Sequence, residues 1–365
     1  MSTRGVDRAV LSMAALERAG LCVVASLALA CGRGAHEGAS PDGTVRQTGR
    51  RVIERRWEEV FRVGGDVEDT LLQGPTALAA DSLGVYVADA MAGRVLRFTR
   101  DGRLAYSTGR PGGGPGEFRR IRDLAVDDSG RVWVLDRGNS RITILDRTGA
   151  ERTHFRLEQA ARSADRVVAT GPDRGAVLIV YDRERPFLRL GIDGRLRERF
   201  GPPWDGFPDL APLASQLVVG GGPGGRWVAA FAMGDGYFVR EGDAWLGRRR
   251  PFVETVPFPR VEVRGGLSAD GSGRVEERIA GKEPVFGALS ISVVDDRVVI
   301  LFGGRTPERG RWLDVYDLAG GGYRGSLLLP EPFARVALGG GLLYGISSTP
   351  VPRLVGLRLR ADSLP

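Results

Sequence analysis

The feature that most constrains how this chain can fold is a motif that occurs twice, 47 residues apart. One copy comprises Leu78–Asp89 and Gly93–Gly102, and the other comprises Leu124–Asp136 and Ser140–Gly149. In both copies short apolar runs are separated by turns that contain Asp and Gly, which is typical of strands joined by tight turns. A fixed period of this length, carried by short strands, indicates the blades of a β-propeller.

Further segments continue this organisation along the chain. The third repeat keeps the period, because its turn residue Gly194 lies 45 residues after Gly149. The later repeats depart from the motif but still consist of short apolar strands and turns. The predicted blades begin at about Pro75, Ile121, Val167, Leu217, Ala288 and Ala334. We therefore predict an all-β fold, a six-bladed β-propeller of four-stranded antiparallel blades over residues 51–360.

The sixth blade lacks an outer strand of its own. At the other end of the propeller region, Val52–Arg62 is a strand-like segment without a blade, and it is similar to the outer strand Arg195–Phe200. We predict that this N-terminal strand completes the last blade and closes the ring, which removes an exposed sheet edge. The segment from Pro257 to Lys282 is predicted as an insertion, whose Gly- and Ser-rich middle, Gly265–Gly273, forms an exposed loop.

The first thirty residues have the pattern of a targeting segment. Gly20–Ala30 is an uncharged apolar run of 11 residues, which suits the core of a signal peptide but falls short of the roughly 20 residues that a membrane span needs. The run ends in Leu-Ala-Leu-Ala before Cys31, which resembles a bacterial lipobox, although Ala28 stands where leucine is usual. We predict a lipoprotein signal peptide over residues 1–30 and lipidation of Cys31. Cleavage near Ala30 with release of a soluble protein is the alternative.

A polar segment separates the lipid anchor from the fold. Residues 31–50 are rich in Gly, Ser, Pro, Thr and charge, which predicts a flexible tether, and residues 361–365 form a short tail. We therefore place the protein in the bacterial cell envelope, attached to the membrane through its N-terminal lipid, on the periplasmic side or at the outer membrane. The initiating methionine is either Met1 or Met13.

The composition excludes several kinds of chemistry. The two cysteines, Cys22 and Cys31, precede the propeller, so the folded part has no thiol for a disulfide or for a thiolate metal site. The chain has two histidines, which excludes a three-histidine zinc site, and His154 falls on an outer strand with no serine motif nearby. We predict no cofactor and no metal site, while a calcium site of carboxylates near the channel is left open.

The two clearest repeats resemble NHL repeats, in which an Asp, a small polar loop, Asn-x-Arg and an apolar strand recur. Asp136–Ile142 is a close match and Asp89–Val95 a degraded one. The linker Arg110–Phe118 contains Gly-Pro-Gly-Glu-Phe and resembles the linker of six-bladed propeller lipoproteins found across several bacterial phyla. The resemblance implies a six-bladed β-propeller lipoprotein with NHL-like repeats. We interpret Asp89, Asp136 and Arg141 as structural residues of the repeat.

Strand order predicts which loops share a face. In an antiparallel blade, the linker from an outer strand to the next inner strand lies on the same face as the loop between the second and third strands. Asp89–Arg94, Arg110–Arg122 and Asp136–Arg141 should therefore lie together at one mouth of the channel. Clustered arginines in such a place suit carboxylate or phosphate groups. The candidate binding residues are Arg94, Arg110, Arg119, Arg120, Arg122 and Asn139.

These features favour a binding module over an enzyme. We predict that an unknown protein or an anionic ligand binds at the arginine-bearing face. The alternative is a metal-dependent hydrolase or lyase in the central channel, which requires three or more carboxylate or Asn side chains converging on the axis. We expect a monomer that does not bind nucleic acid, because the basic residues behind the net charge of +7 are interleaved with 45 acidic ones.

Overall fold

Six four-stranded antiparallel sheets surround a central channel and form a six-bladed β-propeller, which confirms the predicted fold. The computed structural model describes residues 49–171, 173–203, 216–265, 276–280, 285–304, 309–359 and 364. Within these residues no helix is long and apolar enough to cross a membrane.

Each blade runs from an inner strand beside the channel to an outer strand at the rim. Blade one contains β2 (Pro75–Asp81), β3 (Gly84–Asp89), β4 (Arg94–Thr99) and β5 (Leu104–Thr108). Blade two contains β6 (Ile121–Val126), β7 (Val132–Asp136), β8 (Arg141–Leu145) and β9 (Glu151–Arg156). Blade three contains β10 (Arg166–Ala169), β11 (Ala176–Ile179), β12 (Phe187–Leu190) and β13 (Leu196–Phe200).

The remaining blades follow in chain order, with a hairpin inserted between blades four and five. Blade four contains β14 (Leu217–Gly221), β15 (Arg226–Phe231), β16 (Tyr237–Glu241) and β17 (Ala244–Trp245). The hairpin consists of β18 (Val261–Arg264) and β19 (Glu276–Ile279). Blade five contains β20 (Phe286–Val294), β21 (Arg297–Gly304), β22 (Trp312–Asp317) and β23 (Tyr323–Leu328). Blade six contains β24 (Arg335–Gly339), β25 (Leu342–Ser347), β26 (Arg353–Leu359) and β1 (Trp57–Gly64).

Burial falls from the middle of each blade to its rim. Strands β3, β7 and β11 are buried along their whole length, whereas the outer strand β9 is mostly exposed. A middle strand is covered on both faces by the neighbouring blades, so apolar residues occupy consecutive positions, as in the Val-Trp-Val-Leu run of β7.

The hydrophobic core is divided among the contacts between blades. The described residues form six apolar clusters, one at each blade interface. Trp133 of blade two and Leu178 of blade three belong to one cluster, and Tyr344 of blade six and Val87 of blade one belong to another. The apolar contacts therefore continue around the whole ring, including the junction between the last blade and the first.

The periodic turn glycines are required by both backbone conformation and packing. Three equivalent glycines in the hairpins between third and fourth strands have φ of +83°, +84° and +77°, a region that favours glycine. A Cβ on any of them would lie within 2.8 Å of an aromatic ring on the outer strand of the preceding blade. The glycine–ring pairs are Gly102–Phe61, Gly149–Tyr106 and Gly194–Phe155. The repeat thus records a contact between neighbouring blades as well as a turn.

The N-terminal strand closes the ring, as predicted. Strand β1 pairs antiparallel with β26, from Trp57 opposite Leu359 to Gly64 opposite Arg353. Its bounds differ from the predicted Val52–Arg62, because Val52 bridges in parallel to Ser326 of blade five instead. The segment before β1 therefore lies along the edge of blade five before the chain crosses to blade six.

An ion pair holds this N-terminal segment in place. The guanidinium of Arg50 donates two hydrogen bonds of 3.1 Å to the carboxylate of Asp314, whose side chain is 1% exposed. The same guanidinium lies 4.2 Å above the centre of the Phe302 ring. Burial raises the pKa of Asp314, and the charge of Arg50 opposes that rise. The charge of Arg50 is therefore the main interaction that offsets the free-energy cost of burying the Asp314 carboxylate.

The insertion between blades four and five is confirmed as a separate hairpin that packs onto the propeller. Val261 and Ile279 contact the apolar cluster between blades five and six, and the Tyr181 hydroxyl of blade three donates to Glu277. Residues 266–273 of the predicted exposed loop lie outside the described residues.

Replacing Arg50 with Ala is expected to destabilise the protein, because it leaves the Asp314 carboxylate buried without its cation. Loss of one partner from a buried pair costs about 3 kcal/mol, and chemical denaturation would measure this as a lower free energy of unfolding. Arg56→Ala, at an exposed position in the same segment, serves as the control and should change little. Equal stabilities of the two variants would refute this role of Arg50.

Candidate functional site

Two loops and one linker meet on one face of the propeller, which we call the linker face. They are the loops Asp89–Arg94 and Asp136–Arg141 and the linker Arg110–Arg122. The backbone amides of Arg119 and Arg120 donate to the Asp136 carboxylate over 3.3 and 3.0 Å. The structure therefore brings together the segments that strand order had assigned to one face.

The aspartates of the two repeats hold the linkers by the same contacts. Asp89 and Asp136 are fully buried at the ends of β3 and β7. Asp89 accepts hydrogen bonds from the amides of Gln73 and Gly74 over 3.3 and 2.7 Å, as Asp136 does from two consecutive amides of its own linker. A buried carboxylate that accepts such bonds fixes the backbone of the linker against the blade.

Arg94 and Arg141 occupy equivalent positions, and each contacts the Asp and the linker of its own repeat. The guanidinium of Arg94 donates to Asp89 over 3.1 Å and to the carbonyl of Leu71 over 2.7 Å. That of Arg141 donates to the carbonyl of Gly114 over 3.1 Å, and it lies 3.6 Å from the Asp136 carboxylate. Arg94, predicted as a binding residue, is therefore placed with the structural arginine of the second repeat.

Asn139 also lies within the repeat. Its amide nitrogen donates to Asp136 over 2.6 Å and to the carbonyl of Gly112 over 2.9 Å. These bonds tie the loop after β7 to the preceding linker.

Three of the predicted arginines are exposed on the linker face. The Arg110 side chain is 77% exposed and donates to Glu117 over 3.0 Å. Arg119 and Arg120 are exposed, and no hydrogen bond or ion pair joins their side chains to a residue that the structure describes. Their backbones are fixed by Asp136, so two guanidinium groups are presented from a rigid base.

Arg122 is held differently from its neighbours. Its guanidinium donates to both oxygens of Asp165, one of them over 2.8 Å. Arg137 and Arg166 donate to the same carboxylate over 3.2 and 3.0 Å. Burial acts to raise the pKa of Asp165, but the charges of Arg166, Arg122 and Arg137 and the hydrogen bond from Arg122 lower it well below its usual value.

The central channel encloses a cavity of about 520 Å³. Its wall consists largely of apolar residues and glycines from the six inner strands. At the end that opens toward the linker face, the polar lining residues are Asp123, Ser290 and Arg335. Burial, with the charge of Arg166, lowers the pKa of Arg335 to about 10.

Aspartates line the channel, but the described ones are not arranged as the metal-dependent alternative requires. Within the part of the chain that the structure describes, no group of three or more His, Cys, Asp or Glu side chains is arranged to hold a metal ion. The geometry of the described residues therefore gives this alternative no support.

Sequence reasoning missed the charged layer beneath the linker face. Asp165 precedes the inner strand of blade three and Arg166 begins it. Arg122 and Asp123 lie at the start of the inner strand of blade two, and Arg335 begins that of blade six. The available signal was a charged residue at the start of an otherwise apolar inner strand. Strand pattern alone does not show which of these charges face one another across the channel.

Comparison with known proteins agrees with this architecture. A family model described as a 6-bladed beta-propeller matches residues 67–157, which include blades one and two. NHL repeat-containing protein 3 of Homo sapiens is 30% identical over 92 residues, which are 24% of this chain and 26% of that protein. The chain thus matches about a quarter of the length of this curated relative.

Solved structures show a similar fold over a larger part of the chain. A member of the DUF4221 family from Bacteroides vulgatus has a TM-score of 0.50 at 9% identity, over 84% of this chain and 98% of its own. A putative exported protein from Bacteroides fragilis has a TM-score of 0.50 at 8% identity, over 84% of this chain and 95% of its own. At these identities the likeness concerns the fold alone.

Replacing Asp165 with Asn is expected to lower the free energy of unfolding at pH 7 by about 2 kcal/mol. This is less than the roughly 3–5 kcal/mol of a fully buried pair, because the Asp165 side chain is 32% exposed. Since the folded-state pKa is lowered, the stabilisation is complete above the unfolded pKa of about 3.9 and is lost as the pH falls below it.

Urea denaturation between pH 7 and pH 2.5 would measure this dependence. The difference between wild type and Asp165→Asn should stay constant down to about pH 5 and shrink below pH 4. Asp173→Asn, at an exposed position, is the control. A difference that grew on acidification would contradict the assignment.

Proposed function

We propose that this six-bladed β-propeller with NHL-like repeats is a lipid-anchored, extracytoplasmic binding module that contacts an acidic partner through Arg119 and Arg120. The observation that carries the proposal is the state of these two side chains. Both are exposed, and their backbone amides are fixed by the buried Asp136.

The electrostatics of the linker face support an anionic partner. The nearby Glu117 carboxylate is engaged by Arg110 and by the amide of Gly114 over 2.8 Å. The hydrogen bond from Gly114 and the one from Arg110 lower the pKa of Glu117, so it remains charged toward these partners. The guanidinium groups of Arg119 and Arg120 can thus bind a partner, and their planar shape suits carboxylates. We propose an acidic protein segment as the partner, because the two side chains lie on an open face.

Anchoring through Cys31 would place this face within reach of other envelope proteins. Cys31 lies outside the described residues, and the lipobox-like sequence before it supports the proposal. The intervening chain of about 19 residues could extend roughly 65 Å before Arg50, where the N-terminal segment contacts blade five.

Reversing the charge of the two arginines is expected to abolish partner binding. The double variant Arg119→Glu/Arg120→Glu should lower binding of a poly-glutamate peptide, measured by fluorescence anisotropy, by at least tenfold, and should lose partners that co-purify with the wild-type protein. Arg122 is left intact because it pairs with Asp165.

The matched control is Arg55→Glu/Arg56→Glu, a second pair of adjacent exposed arginines. It makes the same change in net charge away from the linker face, so it should retain binding. The proposed face would be wrong if the Arg119→Glu/Arg120→Glu variant kept every partner at full strength, or if both double variants lost binding equally.

Replacing Cys31 with Ala is expected to move the protein from the membrane fraction to the soluble fraction. A thioether-linked diacylglyceryl group requires the cysteine sulfur, and acyl chains contribute about 0.8 kcal/mol of membrane affinity per buried CH₂. Cell fractionation followed by immunoblotting would measure the distribution, with Cys22→Ala as the control. An unchanged distribution of Cys31→Ala would refute lipid anchoring at this residue.

A further inference from the structure

The central channel combines an apolar wall with a cationic end. Residues of all six inner strands line the cavity, and its apolar lining residues include Leu124, Val168, Val218, Ile291 and Val336. Arg335 lines the same cavity where β24 begins, and inner strands begin at the linker face. A ligand in this channel would therefore meet apolar surface along its length, a guanidinium at the linker-face end, and at the other end the aspartates that follow the inner strands.

The Arg335 guanidinium makes no hydrogen bond or ion pair with a residue in the part of the chain that the structure describes. The residue is half-buried in the cavity wall. At longer range its charge is repelled by those of Arg166 and Arg122 and attracted by those of Asp123 and Asp165, on blades two and three across the channel. A half-buried guanidinium that lines a cavity without a hydrogen-bonded counter-charge can bind an anionic group there.

The surrounding charges do not neutralise this end of the channel. Four guanidinium groups and two carboxylates form the layer, which leaves two positive charges in excess. The guanidinium groups belong to Arg122, Arg137, Arg166 and Arg335, and the carboxylates to Asp123 and Asp165. Asp165 is shared by three of the arginines.

Asp123 is the carboxylate that lines the cavity at this end. It accepts a hydrogen bond of 3.0 Å from the backbone amide of Val167. Ser290, at the same end, accepts one of 3.0 Å from the amide of Val336, and a hydroxyl in this position can also donate. The donors that line this end of the cavity are therefore the Arg335 guanidinium and the Ser290 hydroxyl.

We propose that the channel binds a small organic acid, whose carboxylate contacts Arg335 and whose apolar body lies along the inner strands. The fork of a guanidinium can donate two parallel hydrogen bonds to a carboxylate. The cavity of about 520 Å³ lies within the size range of small-molecule sites. This inference rests on the proposed function as a binding module and adds a ligand class, in the channel rather than on the outer surface.

Isothermal titration calorimetry with four probes tests both halves of the proposal. Hexanoate should bind the purified protein, whereas 1-hexanol lacks the charge, and acetate and inorganic phosphate lack the apolar body. We expect the affinity for hexanoate to exceed that for each other probe by at least tenfold. Equal affinity for phosphate or acetate would refute the apolar part of the site, and equal affinity for hexanol would refute the role of the charge.

Arg335→Leu removes the charge and keeps an apolar side chain of moderate size. Hexanoate affinity should fall at least tenfold in this variant, and Arg335→Lys should retain part of it. Arg156→Leu, at an exposed position on the outer strand β9, makes the same change away from the channel and should bind hexanoate as wild type does. Undiminished binding by Arg335→Leu, or no hexanoate binding by the wild type at millimolar concentration, would overturn the proposal.

Thermal stability separates a binding residue from a structural one. If Arg335 is kept for a ligand, removing its charge should not lower the melting temperature of the ligand-free protein. A melting temperature lowered well below that of Arg156→Leu would assign Arg335 to the structure and contradict the proposal. The surface arginines are unchanged in these variants, so loss of hexanoate binding and loss of acidic-partner binding are distinguishable.

Discussion

The propeller depends on closure of its ring by one antiparallel pairing, that of β1 with β26. Each blade is apolar on both faces and is stable only when neighbours cover both. The cluster between blades six and one contains Tyr344, Val87 and, on β1, Phe61. Without β1 this interface would lose its outer part and β26 would be an open edge. The contact of Arg50 with Asp314 also supports closure of the ring, because it fixes the chain to blade five before β1 begins.

The NHL-like motif is clearest where its residues serve the scaffold. Asp89 and Asp136 make equivalent bonds to two consecutive backbone amides, which belong to Gln73 and Gly74 in one copy and to Arg119 and Arg120 in the other. The backbone contact is common to both repeats, while the side chains that it presents differ. A repeated scaffold can thus hold different surface groups at one geometric position, and candidate function lies where the copies differ.

Charge is distributed over two levels on the linker face. Arg119 and Arg120 lie outward, whereas Arg122, Arg166 and Arg335 lie inward around Asp165 and Asp123. Charges at the inner level are costly because protein replaces most of the water around them, and all but that of Arg335 are satisfied by contacts within the described chain. The two levels therefore suit ligands of different size, an extended acidic segment outside and a small acid within.

The amino-acid sequence by itself determined the blades, their number and the strand that closes the ring, because these follow from local patterns. Strand alternation, Asp–Gly turns and the spacing of Gly102, Gly149 and Gly194 are legible without knowing what lies nearby. Only the tertiary structure decided that Arg122 pairs with Asp165, that Arg94 belongs to the scaffold, and that Arg335 faces the channel. Those facts depend on contacts between residues far apart in the chain, and which charges meet is set by how the blades are arranged around the axis.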